Sequence, residues 1–412
     1  MEENWRWLEL AAVSLTVLVL ALKLGMLLWW RPRKIEENFA RQGIRGPPYR
    51  FFIGNVKELL LVPVVAQSIT EMLDKWSVTM TSSGTDAIKI EVSEWFQSLT
   101  EDVITRTAFG SSYEDGKAIF GLQAQQMVIA AEAFQKVFIP GYRFLPTKRN
   151  IRCWKLDREI RMSFRKLIQR RRMADRMQQG NGAKDLLGLM MEASNQLGVN
   201  DIIEECKSFF FAGKQTTSNL LTWTTVLLAM HPQWQVQARE EVLRVCGSRD
   251  LPNKDDLVKL KMLSMIINES LRLYPTTIAT IRRAKVDAEL GGYMIPRGTE
   301  ILIPILALHH DQAIWGNDVN EFNPARFSEG VARAAKHPVG FIPFGLGVRT
   351  CIGQNLAILQ TKLTLSILLQ RFSFRLAPTY QHAPTVLMFL YSQYGAPIIF
   401  QHLSTREMNE GS

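Results

Sequence analysis

A single cysteine lies within the glycine-rich stretch FGLGVRTCIG, residues 344–353. The sequence that follows Cys351, QNLAILQTKLTLSILLQRF, has the amphipathic pattern of a helix. Unpaired N–H groups and the dipole at a helix N-terminus favour a thiolate, which could act as a nucleophile, a redox sensor or a metal ligand. The glycines supply no general base for a nucleophile, but they let backbone amides and a flat ligand approach the sulfur. A buried, unreactive cysteine is the remaining interpretation of this loop alone.

A second candidate segment is FFFAGKQTTSN, residues 209–219, which places a glycine and polar side chains inside an otherwise apolar helix. Because glycine and threonine lower helix stability, Gln215 and Thr216 are candidates to face a ligand or a reacting group. The threonine hydroxyls could equally bond back to carbonyls of their own helix.

Charged side chains recur at helical spacing in two other segments. Glu269 and Arg272 lie at positions i and i+3 of NESLRLYP, and Arg326 in FNPARF offers a second cation for the same carboxylate. EVLR, residues 241–244, has the same spacing, and surface pairs of this kind contribute only a few tenths of a kcal/mol. Neither pair by itself predicts a functional site.

The chain that must position these segments is predicted to be mainly helical with small β-sheets. Apolar residues at helical spacing predict seven helices, which cover residues 64–80, 91–108, 118–137, 152–178, 200–230, 233–247 and 255–273. Strands are expected only later in the chain. GGYMIPRGTEILIPI, residues 291–305, predicts a hairpin, and GAPIIF, residues 395–400, predicts a further strand.

The apolar run at residues 8–30 is long enough to cross the roughly 30 Å hydrocarbon core of a bilayer as a helix. Lys23 can extend its stem toward the interface that two tryptophans mark at residues 29–30. Basic residues follow at once at 31–34, and this bias predicts a single-pass anchor with the rest of the chain in the cytosol. A cleaved signal peptide is the alternative, although no small-residue cleavage site stands out. RGPPY, residues 45–49, predicts a stiff hinge.

The composition is that of a folded protein in a reducing compartment. Hydrophobic residues make up 47% and charged residues 21% of the 412 residues, and the four separated cysteines form no CxxC or Cys/His cluster. Much of the net charge of +10 lies between residues 143 and 176, where aromatic residues are too scarce for base stacking. Nucleic-acid binding is therefore not predicted. The basic run predicts a solvated helix face, with attraction to an anionic membrane as the functional alternative.

Taken in order, AGKQTT, ESLR, PARF and FGLGVRTCIG resemble the motifs of the cytochrome P450 family of haem-thiolate monooxygenases. The resemblance runs from about Leu61 to the C-terminus and implies the P450 fold with haem iron as cofactor. It implies that Cys351 is the proximal iron ligand, whose thiolate pushes electron density onto iron and favours O–O cleavage. Around it, the resemblance implies Phe344 as a shield for the sulfur, Gly347 and Gly353 for close backbone approach, and Arg349 and Arg282 at the haem propionates. Arg283 is a competitor of its neighbour Arg282 for that role.

The resemblance also assigns roles to polar residues away from the cysteine. Glu269, Arg272 and Arg326 correspond to a buried ion-pair network that is structural rather than catalytic. Thr216 matches a threonine that helps deliver protons during catalysis. The family commonly has Asp or Glu just before it, whereas this chain has Gln215. An amide cannot relay a proton as an acid does, so delivery would rely on Thr216 and ordered water.

A closer resemblance covers RPRKIEENFARQGIRGPPY, HHDQAIWGNDVNEFNPARF and the sequence to the end. It is to plant members of the 72 clan, and within it to enzymes that inactivate brassinosteroid hormones by hydroxylating the sterol side chain. This resemblance implies a single-pass protein of the endoplasmic reticulum membrane whose catalytic domain faces the cytosol. It also implies an NADPH-dependent flavin reductase as electron donor and an apolar sterol-type substrate.

One departure from the family concerns length. From FFIGNVKELL to LTEDVITRTAFG the chain runs about fifty residues, whereas the family has roughly a hundred more. The missing part would hold the first sheet strands, a substrate-recognition loop and a Trp-x-x-x-Arg helix that binds a propionate. WKLDR, residues 154–158, has that spacing but follows LTEDVITRTAFG, whereas the family's motif precedes it.

The predicted organisation is therefore a membrane anchor with basic flank at residues 1–34, a hinge at 35–60 and a truncated monooxygenase domain at 61–412. The alternative to an active enzyme is a catalytically impaired, membrane-tethered remnant or short isoform that lacks part of the haem and substrate pocket.

Overall fold

Helices account for most of the chain that the structure describes. The structure is a computed structural model, and it describes residues 61–84, 86–110, 113–134, 144–177, 185–192, 198–247, 249–337, 339–386 and 388–403. The predicted anchor at residues 8–30 and the predicted hinge lie outside the described residues. Among the helices inside these ranges, none combines the length and the apolar character that crossing a bilayer requires.

Nine helices of the described part of the chain precede the first paired strands of the C-terminal half. They are α1 (Leu61–Ser83), α2 (Val92–Phe109), α3 (Tyr113–Phe134), α4 (Lys148–Met177), α5 (Leu186–Glu192), α6 (Val199–Met230), α7 (Pro232–Cys246), α8 (Lys254–Lys259) and α9 (Lys261–Leu273). Three more follow: α10 (Ile305–His309), α11 (Gln312–Trp315) and α12 (Gln354–Arg371). The periodicity therefore predicted the long helices correctly and missed the short α5, α10 and α11.

The predicted helix at residues 255–273 is wrong as a single element, because the chain breaks at Leu260. Asn253 and Asp256 form a reciprocal capping box that starts α8. The first turn of α9 is capped from another helix: the Glu241 carboxylate accepts hydrogen bonds from the backbone N–H groups of residues 261, 262 and 263 at 2.8–3.0 Å. The interpretation of Glu241 as half of a surface pair was therefore wrong.

The strands in the described ranges form four small antiparallel sheets. They are β1 (Ala87–Glu91), β2 (Thr280–Arg283), β3 (Ala288–Leu290), β4 (Tyr293–Ile295), β5 (Glu300–Ile303), β6 (Phe372–Leu376), β7 (Pro384–Val386), β8 (Leu390–Ser392) and β9 (Pro397–His402). The three-stranded sheet has the order β1-β9-β6, and the others pair β2 with β5, β3 with β4 and β7 with β8.

Two strand predictions need correction. The segment at residues 291–305 is not one hairpin, because β4 pairs back to β3 and β5 pairs back to β2. Strands are also not confined to the later part of the chain, because β1 lies at residues 87–91 and pairs with β9. The strand predicted at the end of the chain is confirmed as β9, the central strand of its sheet.

The main hydrophobic core lies where α1, α2, α6, α7, α9 and α12 meet the three-stranded sheet. The second half of α6 is buried on all sides from Thr217 to Ala229, and the hydroxyls of Thr222, Thr224 and Thr225 donate back to carbonyls of their own helix. A second core joins α3, α4 and α5 to the first half of α6 and the end of α2. The described residues other than Gly347–Arg349 form one compact unit, and the 3-10 turn Gly347–Arg349 belongs to a second unit.

Candidate active site

Cys351 lies directly before α12 with its side chain exposed. Its backbone N–H donates to the Phe344 carbonyl at 2.8 Å, which closes the loop on itself. The helix then starts at Gln354 with Gly353 as its N-cap, and the Gly353 carbonyl accepts from the N–H of Ala357 at 2.9 Å. The thiol therefore lies at a helix N-terminus, as predicted, and the interpretation as a buried cysteine is wrong. We call residues 341–346 and 350–353 the cysteine loop.

Glycines keep the sulfur uncovered. A Cβ added at Gly353 would have only the Cys351 Sγ within van der Waals range, at 3.9 Å. Gly345 has a φ of 74°, in the left-handed region that favours glycine. Phe344 is half-buried and packs against the main core, so the backbone that accepts the Cys351 N–H is held in place. In the separate turn Gly347–Arg349, Gly347 has a φ of 71° and Arg349 is exposed.

The other three cysteines differ from Cys351 in accessibility. Cys206 and Cys246 are buried and Cys153 is half-buried. Burial raises the pKa of the Cys206 thiol to about 12 and that of the Cys246 thiol to about 11. Both therefore stay protonated near neutral pH. Within the described residues, no three His, Cys, Asp or Glu side chains come together as a metal site, so Cys351 would be a lone protein ligand.

The polar segment of α6 is satisfied within the protein. The Thr216 hydroxyl donates to the Ala212 carbonyl of its own helix at 2.6 Å. This is the alternative considered in the sequence analysis, in which the threonine bonds to its own helix. The Gln215 side-chain amide donates to the Asn219 Oδ1 at 3.1 Å. Asn219 in turn donates to the Leu390 carbonyl at 3.1 Å, which ties α6 to β8. Gln215 is thus oriented by a buried neighbour.

Close packing brings α2 against this part of α6. A Cβ added at Gly213 would lie 2.4 Å from the Ile104 Cδ1, so a larger residue here would require the Ile104 side chain to move. Lys214 also contacts α2, where its ammonium pairs with the Glu101 carboxylate at 2.5 Å. The glycine that interrupts the helix is therefore explained by packing, and the lysine before Gln215 is held by an ion pair.

The two adjacent arginines of β2 are distinguishable in the structure. Arg283 is paired with Glu300 across the β2–β5 ladder at 2.6 Å. Arg282 donates instead to the Thr280 hydroxyl at 2.6 Å and the Ile281 carbonyl at 3.0 Å. Among the described carboxylates, none pairs with Arg282. It is the arginine of this pair whose charge is available to an anionic ligand.

A buried ion-pair network lies at the end of α9, as predicted. Glu269 and Arg272 form two parallel hydrogen bonds of 2.7 Å and are both fully buried. Arg326 approaches the same carboxylate at 3.3 Å and pairs with Asp318. The remaining N–H groups of Arg272 donate to three backbone carbonyls, those of His309, Val319 and Glu321. Every charge is therefore compensated, which a buried ion pair requires.

His309 is a residue that the sequence analysis missed. Its side chain is fully buried, and its Nε2 accepts a hydrogen bond from the Ile342 backbone N–H at 3.0 Å. Burial lowers the pKa of His309 to about 4, which keeps the ring neutral. The sequence HH at residues 309–310 does not indicate which histidine is buried. Only the tertiary structure distinguishes buried His309 from half-buried His310.

The WKLDR segment lies on α4. Trp154 and Arg158 are both exposed there, and α4 packs against α3 in the second core. This placement agrees with the prediction that its Trp-x-x-x-Arg spacing is coincidental.

Comparison with known proteins gives consistent matches. The family model described as "Cytochrome P450" matches residues 49–395. The chain is 55% identical over 520 aligned positions to "Cytochrome P450 734A1" of Arabidopsis thaliana, covering 98% of this chain and 99% of that protein. It is 45% identical over 355 positions to "Cytochrome P450 72A397" of Kalopanax septemlobus, covering 83% of this chain and 67% of that protein. Among solved structures, the crystal structure of the cytochrome P450DA heme domain matches with a TM-score of 0.70 and 25% identity, over 84% of this chain and 74% of that one.

Proposed function

Because the chain belongs to the cytochrome P450 family of haem-dependent monooxygenases, we propose that it hydroxylates an apolar sterol-type substrate and thereby inactivates brassinosteroids in a plant. The observation that carries this proposal is the 55% identity to "Cytochrome P450 734A1" across 98% of the chain. The motifs that resemble brassinosteroid-inactivating enzymes support the same substrate class.

The residues of the cysteine loop fit haem iron. Cys351 offers an exposed thiol at a helix N-terminus, and Gly353 leaves its sulfur open to a flat ligand. We assign Cys351 as the iron ligand, with Phe344 beside it and Arg282 and Arg349 at the two propionates. Gly347 and Gly353 give the close backbone approach. When bound, the haem iron supplies dioxygen activation and insertion of one oxygen atom into a C–H bond.

Thr216 and Gln215 are assigned to proton delivery. The Thr216 hydroxyl holds its proton against the Ala212 carbonyl, so delivery requires Oγ1 to leave that carbonyl and donate toward the reacting group. Gln215 is an amide held by Asn219, and an amide does not exchange a proton at neutral pH as a carboxylic acid does. Water must therefore replace the proton that Thr216 donates.

The partners and location follow from the family and from the N-terminal sequence. We propose an NADPH-dependent flavin reductase as the electron donor. We also propose that residues 8–30 anchor the chain in the endoplasmic reticulum membrane as a single span, with the catalytic domain on the cytosolic side. The apolar run and its basic flank support this proposal.

A second candidate is favoured by the alignment lengths. The alignment with "Cytochrome P450 734A1" has 520 positions, at least 108 more than the 412 residues of the chain can fill. Within the described residues the β2–β5 sheet has two strands, and its opposed side chains Ile281 and Leu302 are 59% and 62% exposed. Two-stranded sheets are marginal without cover. These observations support an internal loss of about a hundred residues and a chain that binds haem weakly.

Paired expression decides between the two candidates. The 412-residue chain is compared with a form in which the corresponding residues of "Cytochrome P450 734A1" are inserted between Leu60 and Leu61. We expect both less haem per polypeptide and slower brassinosteroid turnover, with reductase supplied, in the short form. Losing one wall of the pocket would admit water and favour unproductive oxygen reduction. Equal haem content and turnover would refute the remnant, and no sterol turnover by either form would refute the substrate proposal.

A further inference from the structure

We propose that His309 is a positioning residue, which couples the buried Glu269–Arg272 ion pair to the cysteine loop. A continuous path of backbone and side-chain hydrogen bonds joins the two, and the His309 residue is the point at which it crosses from α10 to the loop. The proposal concerns the order of the loop in the protein itself; only its consequence for iron ligation rests on the proposed function.

The first half of the path fixes His309 to the core. The Arg272 Nη1 donates to the His309 carbonyl at 3.1 Å, while the rest of the guanidinium is held by Glu269. Arg272 and Glu269 are fully buried, and their paired charges cannot separate without leaving one uncompensated. The backbone of His309 is therefore attached to a rigid part of the molecule.

The second half of the path runs from the imidazole to the cysteine. The His309 Nε2 accepts from the Ile342 N–H at 3.0 Å. The Ile342 carbonyl then accepts from the Gly345 N–H at 3.0 Å, and the Phe344 carbonyl accepts from the Cys351 N–H at 2.8 Å. Three successive hydrogen bonds thus lead from the imidazole to the residue that carries the thiol.

Stacking fixes the orientation of the imidazole. Its ring lies 5.3 Å from the Phe341 ring with an interplanar angle of 27°, and Trp315 contacts both rings edge-on. The Arg272 guanidinium lies 5.2 Å from the Trp315 ring centroid. The ion pair, the aromatic cluster and the first residues of the cysteine loop therefore form one packed group around His309.

The path needs a neutral imidazole. Nε2 must accept from the Ile342 N–H, so in the neutral ring the proton is on Nδ1. Protonation would place an N–H on Nε2 facing another N–H donor. A fully buried site beside Arg272 disfavours that charge. The His309 side chain therefore acts as a rigid, uncharged hydrogen-bond acceptor, because its ring is fixed by stacking and its Nε2 carries no proton.

Amide hydrogen exchange in the 412-residue chain tests the proposal without haem. His309→Phe keeps a ring against Phe341 but removes the hydrogen-bond acceptor. In His309→Asn the side chain is too short to place an acceptor at the Nε2 position. His309→Gln retains an acceptor near the Nε2 position, and His310→Phe is the matched control at the adjacent residue. Exchange is followed at the Ile342, Gly345 and Cys351 amides by mass spectrometry with fragmentation.

We expect at least about tenfold faster exchange at all three amides in His309→Phe and His309→Asn, because one buried hydrogen bond is lost. Exchange in His309→Gln and His310→Phe should stay within about twofold of the original chain. Unchanged exchange at Gly345 and Cys351 in a folded His309→Asn or His309→Phe protein would overturn the proposal, as would equal acceleration by His310→Phe. Haem titration of the same variants reports the proposed function separately, since failure to bind haem leaves the exchange result unaffected.

Discussion

At the scale of single residues, the titratable groups fall into two sets: those buried inside the protein and those exposed or without a charged partner. Cys206, Cys246 and His309 are buried, and burial shifts their pKa values toward the neutral form. Cys351 is exposed in a loop that glycines keep clear. Arg282, unlike Arg283, has no carboxylate partner among the described residues. Cys351 and Arg282, both assigned to the haem, are thus an exposed thiol and a cation with no carboxylate partner among the described residues.

The pKa of His309 predicts a pH dependence of stability. In the unfolded chain the imidazole titrates near its usual 6.5, and in the folded chain near 4. Between these values the unfolded chain binds more protons, so the free energy of unfolding falls as the pH drops, by about 3 kcal/mol in total. The stability from a neutral His309 is present above pH 6.5 and lost toward pH 4.

The measurement is the unfolding free energy of the chain and of His309→Gln by urea titration at pH 4 to 7.5. All other titratable groups are the same in both proteins, so the difference between the two curves isolates His309. The advantage of the original chain should shrink steadily as the pH is lowered from 6.5 to 4. Parallel curves would show that His309 is not held neutral by the fold.

At the scale of elements, helix ends were predicted from sequence only where the caps are local. The capping box of Asn253 and Asp256 can be recognised from sequence, whereas the cap of α9 comes from Glu241 on α7. The prediction of strand pairing failed for a related reason, because the local pattern of a strand does not specify which strand is its partner. β1 pairs with β9 from the far end of the chain, β4 pairs with β3 rather than with β5, and β5 pairs with β2. Periodicity gives the type of a long element but not its partner.

Removal of the Glu241 carboxylate should destabilise the protein. Glu241 is buried and accepts three backbone N–H groups at the start of α9, the helix that carries Glu269 and Arg272. In Glu241→Gln one oxygen acceptor and the charge are lost, and we expect a loss of about 1–3 kcal/mol in the free energy of unfolding. Glu240→Gln, at the exposed neighbouring position, is the control and should change stability by less than about 0.5 kcal/mol. Equal effects of the two substitutions would contradict the capping role.

At the scale of the whole molecule, the motifs in the sequence predicted the family, and the comparisons confirm it. The buried network of Glu269, Arg272 and Arg326 was predicted by resemblance and is present. His309 could not be predicted, because its role depends on aromatic rings and a backbone N–H from separate segments. The proposed loss of about a hundred residues rests on the exposed pair Ile281 and Leu302 and on the 520-position alignment.

The central claim is that Cys351 supplies the thiolate ligand to haem iron. The most direct measurement is the spectrum of the reduced carbon monoxide complex, recorded on the chain with the roughly hundred missing residues restored and on its Cys351→Ser and Cys153→Ser variants. We expect the thiolate-ligated spectrum in the restored chain and in Cys153→Ser, and its complete loss in Cys351→Ser with far-UV helicity unchanged, because a hydroxyl does not replace a thiolate as ligand. A thiolate-ligated spectrum that survives in Cys351→Ser would contradict the claim.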